Sequence, residues 1–232
     1  MNEPFMNLHE LDNPNWHMLG YDLAEFATGT DLAKRCDPRL VPVAALADHS
    51  WAAFDDLAAL VDPGETVFVL EAHPPQDIPG FEVSSSFSVD QRVCQQRSPV
   101  SEHDVEILEL SASDIPDIIQ LIDLTEPGPF FPGLFARRHF IGIRQGGALV
   151  ALAGERLLLP GYCEITAVCT HPDWRGHGYA GLLTLAVADG IWARGEIPFL
   201  HVVPHNAPAY RIYERLHFIK QRQITVLVLT RS

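Results

Sequence analysis

Residues 162–183 read YCEITAVCTHPDWRGHGYAGLL, and their reading decides the fold. Tyr162 to Thr170 is apolar and β-branched enough for a strand. A short turn, His171-Pro172-Asp173-Trp174, leads into Arg175-Gly176-His177-Gly178-Tyr179-Ala180-Gly181, and a helix over Gly178 to Arg194 follows, closed by Gly195. Glycines let the backbone turn tightly and approach a ligand closely. The first turn of the next helix offers unpaired N–H groups and the positive end of its dipole, which suits a pyrophosphate. Arg175 adds a fixed positive charge there. The loop also fits G-x-G-x-x-G through Gly176, Gly178 and Gly181, the spacing of a dinucleotide fold. Two features speak against that. An excursion of His-Pro-Asp-Trp-Arg separates the glycines from the strand, and the next strand, Phe199 to Val203, runs into Pro204-His205 with no carboxylate at its end.

Working outward, the C-terminal half alternates strands and helices. Val105 to Leu110 reads as a strand. Ser113 can cap a helix to about Leu124, with Ile115, Ile118, Ile119 and Ile122 as its apolar face. Thr125 to Pro132 holds three prolines and a glycine and reads as a loop. Phe140 to Arg144 and Ala148 to Leu158 are strands joined by Gln145-Gly146-Gly147, a hairpin signal. Pro198 to Val203 is a strand, Asn206 caps a helix from Ala207 to Leu216, and Ile224 to Thr230 is the last strand. The pattern predicts an α+β, three-layer domain with a mostly antiparallel sheet flanked by helices over residues 101–232.

Gln95 to Ser101 is rich in Pro, Ser and Gln, and marks the predicted boundary. Residues 1–100 form the smaller α+β domain. Leu40 to Val61 has near-helical apolar spacing, Asp62-Pro63-Gly64 is a turn, Thr66 to Leu70 is a strand, and Phe81 to Phe87 and Gln91 to Cys94 suggest two more.

Composition narrows the functions. The net charge is −14, and residues 1–100 carry 16 Asp/Glu against 5 Lys/Arg. Such a surface repels phosphate backbones and argues against nucleic acid. It suits a cationic acceptor as well as plain solubility. No 18-residue apolar run predicts a membrane span, and Met1 to Glu10 lacks the regions of a signal peptide. Cys36, Cys94, Cys163 and Cys169 form no CxxC pair, so reduced thiols and a cytoplasmic location are expected.

Arg175-x-x-Gly178-x-Ala180 resembles the Q/R-x-x-G-x-G/A acyl-CoA pyrophosphate motif of the GNAT acetyltransferase superfamily. Asn206, Ala209, Tyr213, Glu214 and Phe218 resemble its second signature, N-x-x-A-x-x-x-Y-E-x-x-G-F, with His217 where glycine is usual. The resemblance covers roughly residues 104–231. The stretch from Gly128-Pro129-Phe130 through Gly154-Glu155-Arg156 to Glu164 is similar to a subgroup with a divergent N-terminal half, itself read as a degenerate copy of the same fold.

The resemblance implies an N-acyltransferase that moves an acetyl or longer acyl group from acetyl-CoA to a primary amine in a ternary complex, without a metal. It implies that Val168, Cys169 and Thr170 meet the pantetheine arm through their backbone, and that Arg175, Gly176, His177, Gly178, Tyr179, Ala180 and Gly181 hold the pyrophosphate. Asn206 and Tyr213 complete the cofactor site. A free alkyl amine has a pKa of about 10, so a base is needed. Glu164 is the first candidate, since a mid-strand carboxylate is costly unless it is paired or lines a wet cleft. An ion pair with Arg156 is the competing reading. Glu126 and His171 are further candidates, with a turn role favoured for His171. Tyr213 is the family-matched proton donor to the departing thiolate, and Tyr210 lies one turn earlier. His201 and His205 are separated by Pro204, which argues against a metal pair, and Cys163 and Cys169 lack the partners of a nucleophile. A non-catalytic acyl-CoA-binding module is the alternative function. The acidic N-terminal half is expected to line one side of the acceptor cleft.

Overall fold

A computed structural model describes residues 8–99 and 103–232. Part of the expected linker, 100–101, and most of the acidic N-terminus, 1–7, lie outside the described residues. In chain order the elements are α1 (Pro14–Gly20), β1 (Ala27–Gly29), β2 (Ala33–Cys36), β3 (Ala44–Leu46), α2 (Trp51–Leu60), β4 (Thr66–Glu71), β5 (Phe81–Cys94), β6 (Leu108–Glu109), α3 (Ile115–Thr125), α4 (Pro132–Phe135), β7 (Phe140–Gln145), β8 (Ala148–Leu159), β9 (Tyr162–Thr170), α5 (Tyr179–Ala193), β10 (Ile197–Val202), α6 (Ala207–Arg215) and β11 (Phe218–Arg231).

By its contacts the chain divides into two units. One comprises residues up to Val89 with 158–160 and 223–232, and the other 90–157 with 161–222. A single cut near residue 100 does not match this division. Strand β5 is one strand, not the expected two, and it runs from one unit into the other, as does β11.

In the first unit β1, β2 and β3 form an antiparallel sheet, and β4 pairs antiparallel with β11 from Thr66↔Thr230 to Glu71↔Thr225. The predicted helix from Leu40 is corrected here. It begins only at Trp51, capped by the Ser50 hydroxyl, which accepts from Ala53 N–H. Upstream the chain is extended, and the Pro42 carbonyl accepts from Phe68 N–H at 2.8 Å. Proline has no N–H to continue a helix. The core gathers Ala53, Phe54 and Leu57 of α2 with Val67, Val69, Leu227 and Leu229. The buried Asn15 amide donates to the Ala44 and Phe68 carbonyls, both at 3.1 Å, so its burial leaves that donor satisfied.

The second unit carries the α+β architecture that the alternation predicted. Its strands lie in the order β5-β10-β9-β8-β7-β6. Pairing is antiparallel between β5 and β10, between β7 and β8 and between β6 and β7, and parallel between β9 and β10. Helix α5 packs on β9 and β10, and α3 packs on β9. α3 buries Ile118, Leu121 and Ile122, while Ile119 is exposed, which turns the expected face by one position. Its entry is a turn from Ala112 to Asp114 capped by Ser111, not Ser113. The expected strand at Val105–Leu110 shortens to β6, and the proline loop ends in α4. Gly154 faces Phe140 across the β7–β8 ladder. A Cβ there would stand 2.2 Å from the Phe140 ring, so the close approach requires glycine.

Candidate functional site

The site grows out of β9. Its ladder with β10 comprises Tyr162↔Ile197, Cys163↔Pro198 and Glu164↔Phe199. Beyond that point the far end of β9 stays with β8, because His171 N–H donates to the Val150 carbonyl at 2.8 Å. The parallel strands therefore part after Glu164. Ala167 marks the change, with φ +53° in mid-strand. A β-carbon is disfavoured in that region, and a residue held there re-aims the backbone of its neighbours. Val168 and Thr170 follow, half-buried, with Cys169 buried between them. Burial pushes the Cys169 thiol up to about 11, which keeps it protonated and inert. Cys163 is pushed up in the same way, and all four cysteines are free and buried.

The glycine loop closes the end of β9. His171 Nδ1 accepts from Asp173 N–H at 3.2 Å and caps a turn from Pro172 to Trp174, the turn role favoured for it. Arg175 is exposed, and its Nε donates to the Thr170 carbonyl at 3.4 Å. Gly176 and Gly178 have φ +86° and +81°, and a Cβ at either would meet nothing within 4 Å. The loop is thus shaped by backbone and open on the side its glycines face. Leu182 N–H donates to the Gly178 carbonyl as α5 begins, so the N–H groups of Tyr179, Ala180 and Gly181 precede the helical ladder. Trp174, His177 and Tyr179 stack beside the loop, with His177 and Tyr179 centroids 5.5 Å apart. The Tyr179 hydroxyl accepts from Gln145 Nε2 at 3.2 Å. Gly181 serves packing instead. A Cβ there would lie 3.3 Å from Arg215, so the glycine lets α6 approach α5.

Asn206 is the cap of α6, with its Oδ1 accepting from Ala209 N–H at 3.2 Å. It acts on the helix that carries Tyr213. That side chain is 7% exposed, and its ring packs on Phe218 with centroids 5.9 Å apart. Burial raises the phenol well above its ordinary value, and the Cys169 thiol nearby adds to the rise. Tyr213 is therefore a protonated phenol close to the far end of β9. The α6 cap survives the missing glycine, because His217 itself takes φ +62°.

Glu164 stands otherwise than a free base would. Its side chain is 1% exposed. Arg156 Nε donates to Oε2 at 2.8 Å and Nη2 to Oε1 at 2.7 Å, and His201 Nδ1 meets Oε1 at 2.7 Å. Burial alone would raise this carboxyl, but the Arg156 charge and the hydrogen bonds from Arg156 and His201 overcome it and hold the group at about 2. A carboxylate with this set of donors has little affinity for a further proton, so the geometry favours the Arg156 ion-pair reading of this residue. Glu126 is exposed at the left-handed end of α3, φ +46°. Tyr210 is committed elsewhere: its hydroxyl donates to Asp90, which also takes Lys220 at 2.8 Å. Sequence reasoning passed over His201 as a partner of Glu164, and over Gln91, whose Nε2 lies 3.2 Å from His201 Nε2. The available signal was a polar residue at a strand position flanked by apolar ones, Leu200 and Val202. Among the described residues no cluster of three or more His, Cys, Asp or Glu is arranged to hold a metal ion, and no helix is long and apolar enough to cross a membrane.

A mixed α+β sheet in which two parallel strands part, with a glycine loop and helix N-terminus beyond the parting, defines the acetyltransferase class of fold and site. The model of the FR47-like protein family matches residues 140–227. The structure is similar to that of a protein from Novosphingobium aromaticivorans assigned to the GNAT family of acetyltransferases, with 36% identity, a TM-score of 0.85, and 97% of this chain and 99% of that one covered. A GCN5-related N-acetyltransferase from Kribbella flavida shares the fold at 18% identity and a TM-score of 0.65, over 94% and 93% of the two chains. A search of curated proteins finds no match. The chain belongs to the GNAT family of acetyltransferases.

Proposed function

We propose that this chain transfers an acetyl group from acetyl-CoA to a primary amine, with both substrates bound together. The observation that carries the reading is the open glycine loop, Gly176 to Gly178, placed just beyond the strand edge that β9 exposes where β10 leaves it. The loop and first-turn N–H groups would hold the diphosphate, with Arg175 and His177 at its rim and Trp174 and Tyr179 as its wall. The free edge at Val168 to Thr170 would take the pantetheine arm in the manner of an added strand. The Val168 N–H, next to the left-handed Ala167, would polarise the thioester carbonyl and hold its developing negative charge. Tyr213 keeps its proton across the neutral range, as a donor to the leaving thiolate must. The acidic balance of the chain fits a cationic acceptor, and its buried free thiols fit a reducing, cytoplasmic setting.

A second reading is a module that binds acyl-CoA without turnover. It is favoured by one fact, the engagement of Glu164 by Arg156 and His201. Calorimetry with acetyl-CoA and thiol release with a panel of primary amines separate the two. Binding with thiol release supports the transferase, and binding with no release from any amine supports the module. No association with acetyl-CoA refutes both.

A further inference from the structure

Four buried or half-buried polar side chains cross the sheet of the second unit in a row, each from a different neighbouring strand. Arg156 comes from β8, Glu164 from β9, His201 from β10 and Gln91 from β5. Gln91 and His201 are register partners, and Glu164 closes the paired part of β9 and β10. The row thus crosses the sheet at the root of the opening between β9 and β10. Its contacts are Arg156 to Glu164 at 2.7 and 2.8 Å, His201 Nδ1 to Glu164 at 2.7 Å, and Gln91 Nε2 to His201 Nε2 at 3.2 Å. The His201 side chain is 5% exposed and its ring stands edge-on to Phe199, centroids 5.6 Å apart.

Valence bookkeeping sets the proton positions. Glu164 is a carboxylate and can only accept, so Nδ1 must carry a hydrogen. Arg156 already neutralises Glu164, so a neutral imidazole leaves the buried row uncharged. Nε2 then bears a lone pair, and the Gln91 amide donates to it. A carboxylate on Nδ1 fixes the tautomer and leaves Nε2, here held by Gln91, as the accepting nitrogen, which is the arrangement of an oriented base. The charged and polar groups that meet this ring are Glu164 from β9, Arg156 through it from β8, and Gln91 from β5.

We propose that His201 Nε2, oriented by Glu164, takes the proton of the acceptor ammonium; this rests on the acetyltransferase reading above. The Gln91 amide marks the position that a substrate N–H would take. In the step, the ammonium gives one proton to Nε2 and the freed nitrogen pair bonds to the thioester carbonyl carbon. The C–S bond breaks with its electron pair on sulfur. Tyr213 protonates that sulfur and recovers a proton from the new amide nitrogen, and Nε2 later releases its proton to water. One ammonium and one thioester become one amide, one thiol and one proton. Glu164 is a positioning residue and His201 the catalytic one.

The test uses the full chain. Nitrogen-15 imidazole resonances of His201, assigned through its backbone, report the tautomer directly, and Nδ1–H with an unprotonated Nε2 is expected near neutral pH. An Nε2–H tautomer overturns the proposal without any variant. His201→Gln keeps an N–H for Glu164 but has no basic nitrogen. With acetyl-CoA and the amine giving fastest thiol release, it is expected to lower kcat by about 10²-fold or more. It should also remove the acidic limb of the pH–rate profile while leaving acetyl-CoA affinity in place. A variant with the wild-type rate and pH profile overturns the assignment and leaves the acetyltransferase reading standing. Acetyl-CoA binding with no thiol release from any amine overturns both.

Discussion

Replacing Glu164 by Gln tests whether this carboxylate is the ion-paired centre of a buried row. The carboxyl sits at about 2 in the folded chain, against an ordinary value of 4.5. That difference of 2.5 units, at about 1.4 kcal/mol each, corresponds to about 3 kcal/mol of stability. Because the folded value is the lower one, this stability is fully present above the unfolded value of 4.5. It is lost as pH falls from there through 2. In Glu164→Gln the titration is gone, and Arg156 keeps its charge without the carboxylate. Removing one partner of a buried pair costs about 3–5 kcal/mol. Arg156 is 20% exposed on its side chain, so the lower end is expected here. Urea unfolding followed by circular dichroism at pH 7 should show that loss, and the gap to wild type should narrow by about 2 kcal/mol at pH 3 and about 3 kcal/mol at pH 2. Parallel stability-versus-pH curves for the two proteins would refute the reasoning, since they would mean that Glu164 titrates alike folded and unfolded.

Other outcomes follow from the same geometry. Gly178→Ala places a β-carbon at φ +81°, which costs about 1–2 kcal/mol, so acetyl-CoA binding measured by calorimetry should weaken about tenfold where the loop must keep this shape. Tyr213→Phe should lower kcat of thiol release by about 10²-fold with acetyl-CoA affinity kept, and an unchanged kcat returns Tyr213 to a packing role against Phe218. Glu71, 6% exposed at the end of β4 and 3.3 Å from His49, is raised by burial to about 7. Its folded value is the higher one, so stability falls as pH rises from 4.5 through 7, and Glu71→Gln should be about 3 kcal/mol more stable than wild type at pH 8 by urea unfolding.

Most of the second unit was legible because its signals are local. The bounds of β9 and α5 follow from apolar runs cut by glycines, and Gly178 and Gly195 stand just outside α5 with positive φ. The loop needed no long-range information, since its shape is set by its own glycines. What failed depended on distant partners. Leu40 to Leu46 has helical apolar spacing, yet Pro42 and the bond to Phe68 hold it extended. β5 reads as two strands, Phe81 to Phe87 and Gln91 to Cys94, broken at Ser88-Val89-Asp90, yet it is continuous. Pairing across the expected boundary is distant in the same way. A cut at residue 100 would take away Asp90 to Val93, which pair with Phe199 to Val202. At the site the mid-strand charge of Glu164 and its pairing with Arg156 could be weighed in advance. Its bond to His201 could not, because it joins side chains 37 residues apart in sequence, and Gln91 lies 110 residues from His201.

A buried ion pair is a poor device for stability alone. Desolvating Arg156 and Glu164 costs about as much as their attraction returns, and well-packed apolar residues in such places are often neutral or better. The row therefore calls for another purpose, and the fixed imidazole supplies one. Arg156→Met combined with Glu164→Leu separates the two roles. It removes both charges together, so urea unfolding should place the double variant within about 1–2 kcal/mol of wild type, unlike Glu164→Gln alone. His201 Nδ1 then loses its acceptor, nothing selects the tautomer, and thiol release should fall while acetyl-CoA affinity holds. A double variant both stable and fully active would mean that the ring needs no carboxylate, and that the row is only part of the packing between β8 and β10.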